Sequence, residues 1–258
     1  MNINTAIPFI TLMDTRIDNL TMSEVLGQIE KLVTHDASSH IITANVDHLI
    51  MKRKGQDIEE IYRKAALIVP DGVPLLWAAR FIRTPLRERI NGTDLMEKTC
   101  ELAAKMSFSV FLLGGPEGVA AGAARNLQGR FPGLIVSGSY SPNLGFENDM
   151  GENKKIVSLL KEKKPDILFC SLGIPKGIKW IDRHLSACGI PLAIEVGASF
   201  MFISGRMKRA PRWMQKNGLE WFWRLIHEPR RLWKRYLVRD LPFFYYILKQ
   251  KFYNSKSK

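Results

Sequence analysis

The sequence contains no apolar run long enough to cross a bilayer, and this absence is the first constraint on its function. A membrane-spanning helix needs about 20 mainly apolar residues. The longest apolar run near the C-terminus covers only residues 243–248. The N-terminus shows no charged segment followed by a long apolar core, so no signal peptide is predicted. If this protein meets a membrane, we expect it to lie on the surface.

Cysteine is scarce, with Cys100, Cys170 and Cys188 as the three examples. An odd number without the short spacings of zinc sites predicts neither a disulfide framework nor a structural metal centre. Cys170 lies in an apolar run, where a small buried thiol is expected. Free thiols are typical of a reducing compartment.

Two common signatures of nucleotide chemistry are also missing. There is no Walker P-loop, and the fragment at residues 114–118 lacks the spacing of a dinucleotide-binding turn. No Asp-x-Asp pair occurs, which removes the most common carboxylate clamp for a metal-bound nucleotide sugar. The five histidines show no spacing typical of metal ligands. No metal site is therefore predicted.

Acidic residues are almost absent from the last 54 residues, which we call the tail (residues 205–258). The tail carries 15 of the 38 Lys and Arg residues but only three acids, a formal charge of +12 within a total of +13. It also contains four of the six tryptophans. Trp and Tyr settle at lipid headgroup level while Lys and Arg reach anionic lipid. The pattern favours a membrane surface; the alternatives are nucleic acid and a tail whose aromatic side chains pack on the body.

The first 204 residues, which we call the body, alternate short apolar runs with amphipathic segments. This alternation is regular over about residues 107–204 and less regular over about residues 1–106. Strands are predicted at residues 40–43, 67–70, 110–113, 134–136, 167–171 and 192–196. Unbroken apolar strands separated by helices predict an α/β fold, with a mostly parallel sheet covered by helices on both faces. A helical appendage over residues 205–258 follows.

Ligands of open α/β sheets bind beyond the carboxyl ends of the strands, so the residues after each strand are the candidates. Those positions hold Thr43, Asn45, Asp71, Gly114, Gly115, Gly173 and Gly197. Glycine turns let backbone approach a ligand, and the helix N-termini behind them favour anions. Each turn alone fits a purely structural role equally well. Together they favour a nucleotide or sugar-phosphate site.

Asp71 is the sharpest single candidate, because it follows an apolar strand and precedes Gly72. A carboxylate there would face the cleft and lose part of its hydration, which raises its basicity towards use as a general base. The structural alternative is an Asp that starts a turn or caps the next helix. The sequence leaves both open.

Arg89 is a second candidate, because it precedes a turn and a helix predicted at residues 93–106. Its guanidinium is suited to a bidentate clamp on a diphosphate. The alternative is a surface ion pair with Glu88. Thr93 or Asp94 is predicted to cap the helix.

Taken in chain order, these segments resemble the bacterial WecG/TagA/CpsF glycosyltransferase family. The resemblance covers about residues 8–240. In the body it rests on residues 43–48 (T-A-N-V-D-H), 69–72, 88–95, 111–115, 172–176 and 196–200. In the tail it rests on G-R-M-K-R-A-P at 205–211, G-L-E-W at 218–221 and E-P-R-R at 228–231.

The resemblance implies a Rossmann-like fold and a transferase that inverts the sugar's anomeric configuration. Such an enzyme moves a sugar from a UDP-sugar to a saccharide on undecaprenyl diphosphate, in the synthesis of cell-surface polysaccharide. UDP-sugar is then the donor substrate, and neither a cofactor nor a metal is expected. The implied location is the cytoplasmic face of the bacterial membrane, as a peripheral protein.

The resemblance also implies roles for individual residues. Asp71 matches the family's proposed base, Thr43 the threonine of its T-x-N motif, and Arg89 an arginine thought to hold the diphosphate or the acceptor. The tail is thought to deliver arginines into the active site. The substrate-binding candidates are Asn45, Gly114, Gly115, Gly173, Pro175, Gly197, Arg224 and Arg231.

The chain departs from the family pattern at two positions. Gly177 stands where the family usually has Gln, and Met201 where it usually has Asp. Both changes make the expected donor pocket less polar, so a UDP-hexose such as UDP-glucose is an alternative to UDP-N-acetylmannosamine. A catalytically degenerate assembly partner and a nucleic-acid-binding protein are the other hypotheses. Association of several copies of the chain is left open.

Overall fold

The central element of the fold is a six-stranded sheet. The computed structural model describes residues 7–35 and 37–256, without the side chains of residues 216, 231, 237 and 254–256. The sheet contains β3 (Ser39–Ala44), β4 (Leu67–Pro70), β5 (Ser109–Gly114), β6 (Ile135–Tyr140), β7 (Ile167–Ser171) and β8 (Leu192–Glu195). The strand order is β4-β3-β8-β7-β5-β6, and every neighbouring pair is parallel. The predicted Rossmann-like α/β fold is confirmed.

A small hairpin precedes the sheet and was not predicted. Its antiparallel strands are β1 (Phe9–Leu12) and β2 (Thr15–Asp18). Asp18 is buried and accepts a hydrogen bond of 2.7 Å from the backbone N–H of Ile68 in β4. The hairpin is thereby fixed beside the outer strand of the sheet.

The helices cover both faces of the sheet. In the body they are α1 (Met22–Val33), α2 (Val46–Arg53), α3 (Glu59–Lys64), α4 (Val73–Phe81), α5 (Gly92–Met106), α6 (Val119–Arg130), α7 (Met150–Lys163), α8 (Lys176–Cys188) and α9 (Ser199–Ile203). In the tail they are α10 (Arg212–Lys216), α11 (Glu220–His227), α12 (Pro229–Lys234) and α13 (Pro242–Lys256). Within the described residues, none of these helices combines the length and apolarity that crossing a bilayer requires.

The cap of α5 differs from the prediction. Asn91 caps this helix, since its side-chain oxygen accepts the backbone N–H of Asp94 at 3.0 Å, and Thr93 and Asp94 lie inside the first turn. An Asn at this position competes well because its short side chain reaches the exposed N–H groups of the first turn. Helix α6 begins at Val119, and Pro116 lies in the turn before it.

Apolar residues on opposite faces of the strands build separate cores. One core packs residues such as Phe169 of β7 and Phe200 of α9 between the sheet and α1, α5, α6 and α9. The opposite face is covered by α2, α3, α7 and α8, together with the hairpin, α4 and α13. Cys170 is fully buried as a free thiol, as predicted.

The end of the tail is part of this second face. Phe243 and Ile247 of α13 are buried among the side chains of α2, α4 and the hairpin. Gln250 accepts the backbone N–H of Met13 at 3.0 Å and donates to the carbonyl of Thr11 at 2.8 Å. The tail is therefore anchored to the body at its far end, while the division between body and tail near residue 205 stays a prediction.

We expect Phe243→Ala to lower the free energy of unfolding by about 3–5 kcal/mol, because it leaves a cavity in a packed core. The neighbouring change Phe244→Ala is the matched control, since that ring is 56% exposed and should shift stability by less than about 0.5 kcal/mol. Urea denaturation measures both. Equal effects of the two substitutions would mean that α13 does not pack on the body as described.

Candidate active site

The parallel strands bring polar residues from distant parts of the chain to one edge of the sheet. Thr43 is in β3, Asp71 follows β4, and Glu195 ends β8, the next strand on the other side of β3. The backbone N–H of Asp71 donates to the carbonyl of Ala44 at 2.7 Å, which continues the pairing of β4 with β3 beyond the strand ends. Thr43, Asp71 and Glu195 therefore share one edge of the sheet, and the use of this edge as a binding site stays a prediction.

Asp71 lies in a setting that disfavours its charged form. Loss of hydration raises the pKa of its carboxyl from 3.8 to about 6. Arg89 is the strongest opposing influence, followed by Arg224 and a hydrogen bond from the backbone N–H of Gly92, while Glu220 adds to the rise. The cap of α4 is Gly72, so Asp71 does not serve as the capping residue. A carboxyl with a pKa near 6 is suited to accept a proton at neutral pH.

Arg89 joins the tail to the site. Its Nη2 lies 3.2 Å from Oε2 of Glu220, and the other oxygen of that carboxylate lies 3.4 Å from Nε of Arg209. Arg209 also donates to Oδ1 of Asp94 at 2.6 Å. Among the described residues Arg89 forms its ion pair with Glu220 and not with Glu88, whose carboxylate accepts the backbone N–H of Met22 at 2.8 Å.

The tail backbone also packs directly beside Asp71. Gly218 has a φ of +72°, and a Cβ at this position would approach Val73 of α4 to 2.8 Å. Only glycine combines this conformation with so close an approach. The segment that carries Glu220 is therefore held against the start of α4, two residues after Asp71.

Arg224 of α11 faces the same region. Its guanidinium lies 5.8 Å from the ring of Phe202 and 3.8 Å from Oε1 of Glu228. Within the described part of the chain, the buried Nε of Arg224 has no hydrogen-bond acceptor. Arg231 belongs to α12, but its side chain lies outside the described part, so its predicted role stays a prediction.

Two other tail arginines reach the body and were missed. Arg235 donates to the side-chain oxygen of Asn45 at 3.2 Å and pairs with Asp47 at 3.3 Å, and Arg239 pairs with Asp47 at 2.9 Å. Asn45 also caps α2 by accepting the N–H of His48 at 3.3 Å. Asp47 is buried two residues after Asn45, and an acid in the first turn of a helix behind an apolar strand was the available signal for a cation from elsewhere in the chain.

Glu195 is a further residue that was not predicted from the sequence. Its side chain is buried, and its Oε1 accepts the backbone N–H of Gly197 at 2.8 Å. The Thr43 hydroxyl donates to Oε2 of Glu195 at 3.3 Å and to its backbone carbonyl at 3.1 Å. Burial raises the pKa of Glu195 to about 7, and the charge of Asp71 adds to the rise. An acidic residue at the end of an apolar strand was the available signal.

The predicted glycine turns differ in their surroundings. A Cβ on Gly114 would lie 2.4 Å from the carbonyl oxygen of Ser171, so contact between β5 and β7 alone explains this glycine. Gly115 follows in the same turn, and its backbone N–H donates to the carbonyl oxygen of Ser171 at 2.9 Å.

The glycine at residue 173 lies in a more open position. Gly173, before the cis bond from Ile174 to Pro175, has a φ of +79° and open space around it. The backbone N–H of Gly197 donates to the carboxylate of Glu195. Ligand contacts at all these glycines stay predictions.

The two departures from the family pattern occupy different environments. Gly177 is buried in the first turn of α8, where a Cβ would lie 3.4 Å from the Cβ of Leu172. Met201 packs partly against the core that contains Phe200. Over residues 7–35 and 37–256, no group of three or more His, Cys, Asp or Glu side chains is placed to hold a metal ion.

Comparisons with known proteins give one consistent result. The profile of the glycosyl transferase WecG/TagA/CpsF family matches residues 10–257. Curated relatives from Staphylococcus aureus strains MW2 and NCTC 8325 are 29% identical over 252 residues, which is 96% of this chain and 96% of theirs. Each is named N-acetylglucosaminyldiphosphoundecaprenol N-acetyl-beta-D-mannosaminyltransferase.

Proposed function

The chain belongs to the glycosyl transferase WecG/TagA/CpsF family, and from this premise we propose that it transfers a hexose or N-acetylhexosamine from a UDP-sugar to a saccharide on undecaprenyl diphosphate, with inversion. The proposed location is the cytoplasmic face of the cell membrane. The observation that carries the proposal is the half-buried Asp71 at the ends of the strands, where loss of hydration raises the pKa of its carboxyl to about 6 against the charges of Arg89 of the body and Arg224 of the tail. The names of the relatives support the class of acceptor.

Asp71 is the proposed general base. The acceptor hydroxyl attacks the anomeric carbon from the side opposite UDP and gives its proton to the Asp71 carboxylate. The new glycosidic C–O bond forms while the bond to the UDP oxygen breaks, and UDP leaves with the electron pair. Attack from the opposite side inverts the anomeric centre. Thr43 would orient the acceptor or the carboxylate.

The charge that develops on UDP needs fixed cations. The charges of Arg89 and Arg224 both lower the pKa of Asp71, which supports a role for these two cations beside the proposed base. The buried Nε of Arg224 can donate to a phosphate oxygen, because no described residue accepts its hydrogen bond. Preorganised cations in a site with little water stabilise a leaving group strongly, so we propose that transfer needs no metal.

The tail then couples catalysis to the membrane. The Glu220 carboxylate forms ion pairs with Arg89 and Arg209 in this structure, so a substrate diphosphate competes with this carboxylate for both arginines. Rotation of the Glu220 side chain when the tail meets lipid and substrate would release both arginines, while the helix that carries Arg224 stays at the site. Lids that complete an active site on substrate binding act in the same way.

Release of UDP tests the transfer directly. N-acetylglucosaminyl-diphosphoundecaprenol is the acceptor, and UDP-N-acetylmannosamine, UDP-N-acetylglucosamine and UDP-glucose are the donors, each with and without EDTA. We expect acceptor-dependent release with at least one donor and no effect of EDTA. Loss of release in EDTA would contradict the metal-free mechanism. An absence of release with every donor would favour the degenerate assembly partner.

The membrane-facing surface is predicted to be the exposed apolar side of the tail. Its exposed side chains are Trp213, Trp221, Phe222, Ile226, Trp233, Val238, Leu241, Phe244, Tyr245, Leu248, Phe252 and Tyr253. Large apolar side chains in such number seldom face water without a partner. Their interleaving with Lys and Arg supports a lipid surface that is both apolar and anionic.

We expect Ile226→Glu to weaken binding to anionic vesicles about tenfold or more, because burial of this side chain in lipid is worth about 1.5–3 kcal/mol. Flotation with phosphatidylcholine vesicles, with and without phosphatidylglycerol, measures the bound fraction. Leu144→Glu is the control, since Leu144 is an exposed apolar residue of the body. Equal binding of both variants, or stronger binding of wild type to DNA than to vesicles, would contradict the membrane assignment.

A further inference from the structure

Glu195 is a buried acidic residue in the interior of the sheet, where a structural role alone does not require an ionisable group. Its residue is 1% exposed and ends β8, which lies between β3 and β7 in the interior of the sheet. Both carboxyl oxygens are engaged, Oε1 by the N–H of Gly197 at 2.8 Å and Oε2 by the hydroxyl of Thr43 at 3.3 Å. None of the ion pairs among the described residues reaches Glu195, so no cation compensates it there.

The titratable groups around Glu195 come from three different elements. Asp71 follows β4, Tyr62 belongs to α3, and Cys170 is the neighbour of Glu195 in β7. Burial raises the pKa of both Tyr62 and Cys170, and the charge of Glu195 adds to the rise, so both groups stay neutral near pH 7. Asp71 is therefore the one partner of Glu195 that ionises in the same pH range.

Asp71 has its own charged surroundings, and they differ from those of Glu195. Arg89 and Arg224 favour its charged form, and Glu220 opposes it. With these cations nearby, Asp71 loses its proton first, near pH 6, and Glu195 follows near pH 7. Carboxyl groups that share a water-poor site titrate in linked steps, because the first charge makes the second less favourable.

We propose that Glu195 is a positioning residue for the transfer reaction, which holds the Thr43 hydroxyl in place and, once ionised, makes Asp71 a stronger base. This inference rests on the proposed function, in which Asp71 takes the proton of the acceptor. The effect follows from reciprocity. If the charge of Asp71 raises the pKa of Glu195, the charge of Glu195 raises the pKa of Asp71 by the same amount. An ionised Glu195 disfavours the charged form of Asp71 and increases its affinity for a proton.

The pH profile of kcat/KM shows this effect. In wild type we expect the rate to rise as Asp71 ionises near pH 6 and to rise further as Glu195 ionises near pH 7. Glu195→Gln keeps the size of the side chain and one acceptor oxygen for the N–H of Gly197, replaces the other oxygen by an NH2 donor, and cannot ionise. Its profile should level off about one pH unit lower, at a plateau about three- to tenfold below wild type.

Glu152→Gln is the matched control, because Glu152 is also buried and also accepts a hydroxyl and a backbone N–H, from Tyr140 at 2.8 Å and Asn143 at 3.4 Å. It lies in α7, away from Asp71. We expect its pH profile to match wild type. A Glu195→Gln profile with the wild-type shape and plateau would overturn the positioning role.

A measurement without substrate separates this inference from the proposed function. Infrared difference spectra show the C=O band of protonated carboxyl groups. As the pH rises through neutral, the wild-type spectrum should lose one such band. The spectra of Glu195→Gln should not contain that band at any pH. If Glu195→Gln does not fold, Asp71→Asn serves instead, since removal of the Asp71 charge should lower the pH at which that band disappears. If no carboxyl band titrates near neutral pH, the inference is overturned, even if the enzyme is active. Absence of transferase activity alongside such a band would count against the proposed function alone.

Discussion

Asp71→Asn is expected to lower kcat by about 10²–10⁴-fold, because the amide cannot accept the proton of the attacking hydroxyl. The KM values should change little, since the base acts mainly in the transition state. In wild type, activity should fall as the pH drops through about 6, where the Asp71 carboxyl becomes protonated. Steady-state UDP release measures these quantities with N-acetylglucosaminyl-diphosphoundecaprenol as acceptor.

Asp166→Asn is the control for this result. Asp166 is also a partly buried carboxylate, but it accepts the N–H and hydroxyl of Ser109, both at 2.7 Å, at the opposite edge of the sheet. We expect a near wild-type kcat for this variant. A kcat for Asp71→Asn within about twofold of wild type would remove Asp71 from the mechanism, since loss of a general base costs far more.

The stability of Asp71→Asn checks that lost activity is not lost folding. Burial holds the folded-state pKa of Asp71 above its ordinary value of 3.8. A raised pKa means that the folded state binds this proton more tightly, so the contribution of Asp71 to stability is lost as the pH rises through about 6. At pH 7–8 the neutral Asn avoids this cost. The variant should therefore unfold at the same temperature as wild type or higher.

Arg89→Gln is expected to lower kcat/KM by about 10²–10³-fold, because one fixed cation is lost where charge develops on the leaving UDP. Lys at this position should recover little of the loss, since an ammonium group cannot form the paired hydrogen bonds of a guanidinium. Arg209 still holds Glu220 at 3.4 Å, so the tail is expected to stay in place. Kinetics of UDP release over a range of donor concentrations measure the effect.

Arg87→Gln is the matched control for Arg89. Arg87 lies two residues earlier and pairs with Glu24 at 2.8 Å on the surface, away from the strand ends. Exposed ion pairs contribute little, so we expect unchanged kinetics and a small change in stability. If Arg87→Gln and Arg89→Gln behave alike, the proposed role of Arg89 in charge stabilisation fails.

The strand pattern and the family resemblance were readable because both are local properties of the chain. The runs at residues 67–70 and 167–170 are apolar throughout, which indicates strands buried on both faces. The hairpin at residues 9–18 was missed because its strands are short and one of them, Thr15–Asp18, contains a buried Asp. Its stability depends on contact with β4, which no local window of sequence contains.

The charged contacts of the site could not be predicted for a similar reason. The pairing of Arg89 with Glu220 joins residues 131 positions apart, and the hydrogen bond of Thr43 with Glu195 joins residues 152 positions apart. The adjacent residue Glu88 was the partner of Arg89 that the local sequence indicated, but in the folded chain Arg89 pairs with Glu220. Ion-pair partners are chosen by spatial arrangement, and a long-range arrangement leaves no periodic signal in the chain.

By itself, the sequence determined the parallel α/β body, the concentration of positive charge in the tail and the placing of Asp71 at the end of an apolar strand. These follow from side-chain periodicity and composition, which act over a few residues. The tertiary structure alone decided that β8 lies beside β3, which brings Glu195 to Thr43, and that the tail places Glu220 and Arg224 near Asp71. Strand order in a parallel sheet does not follow chain order, so the neighbours of a carboxyl at a strand end are fixed only when the whole sheet is assembled.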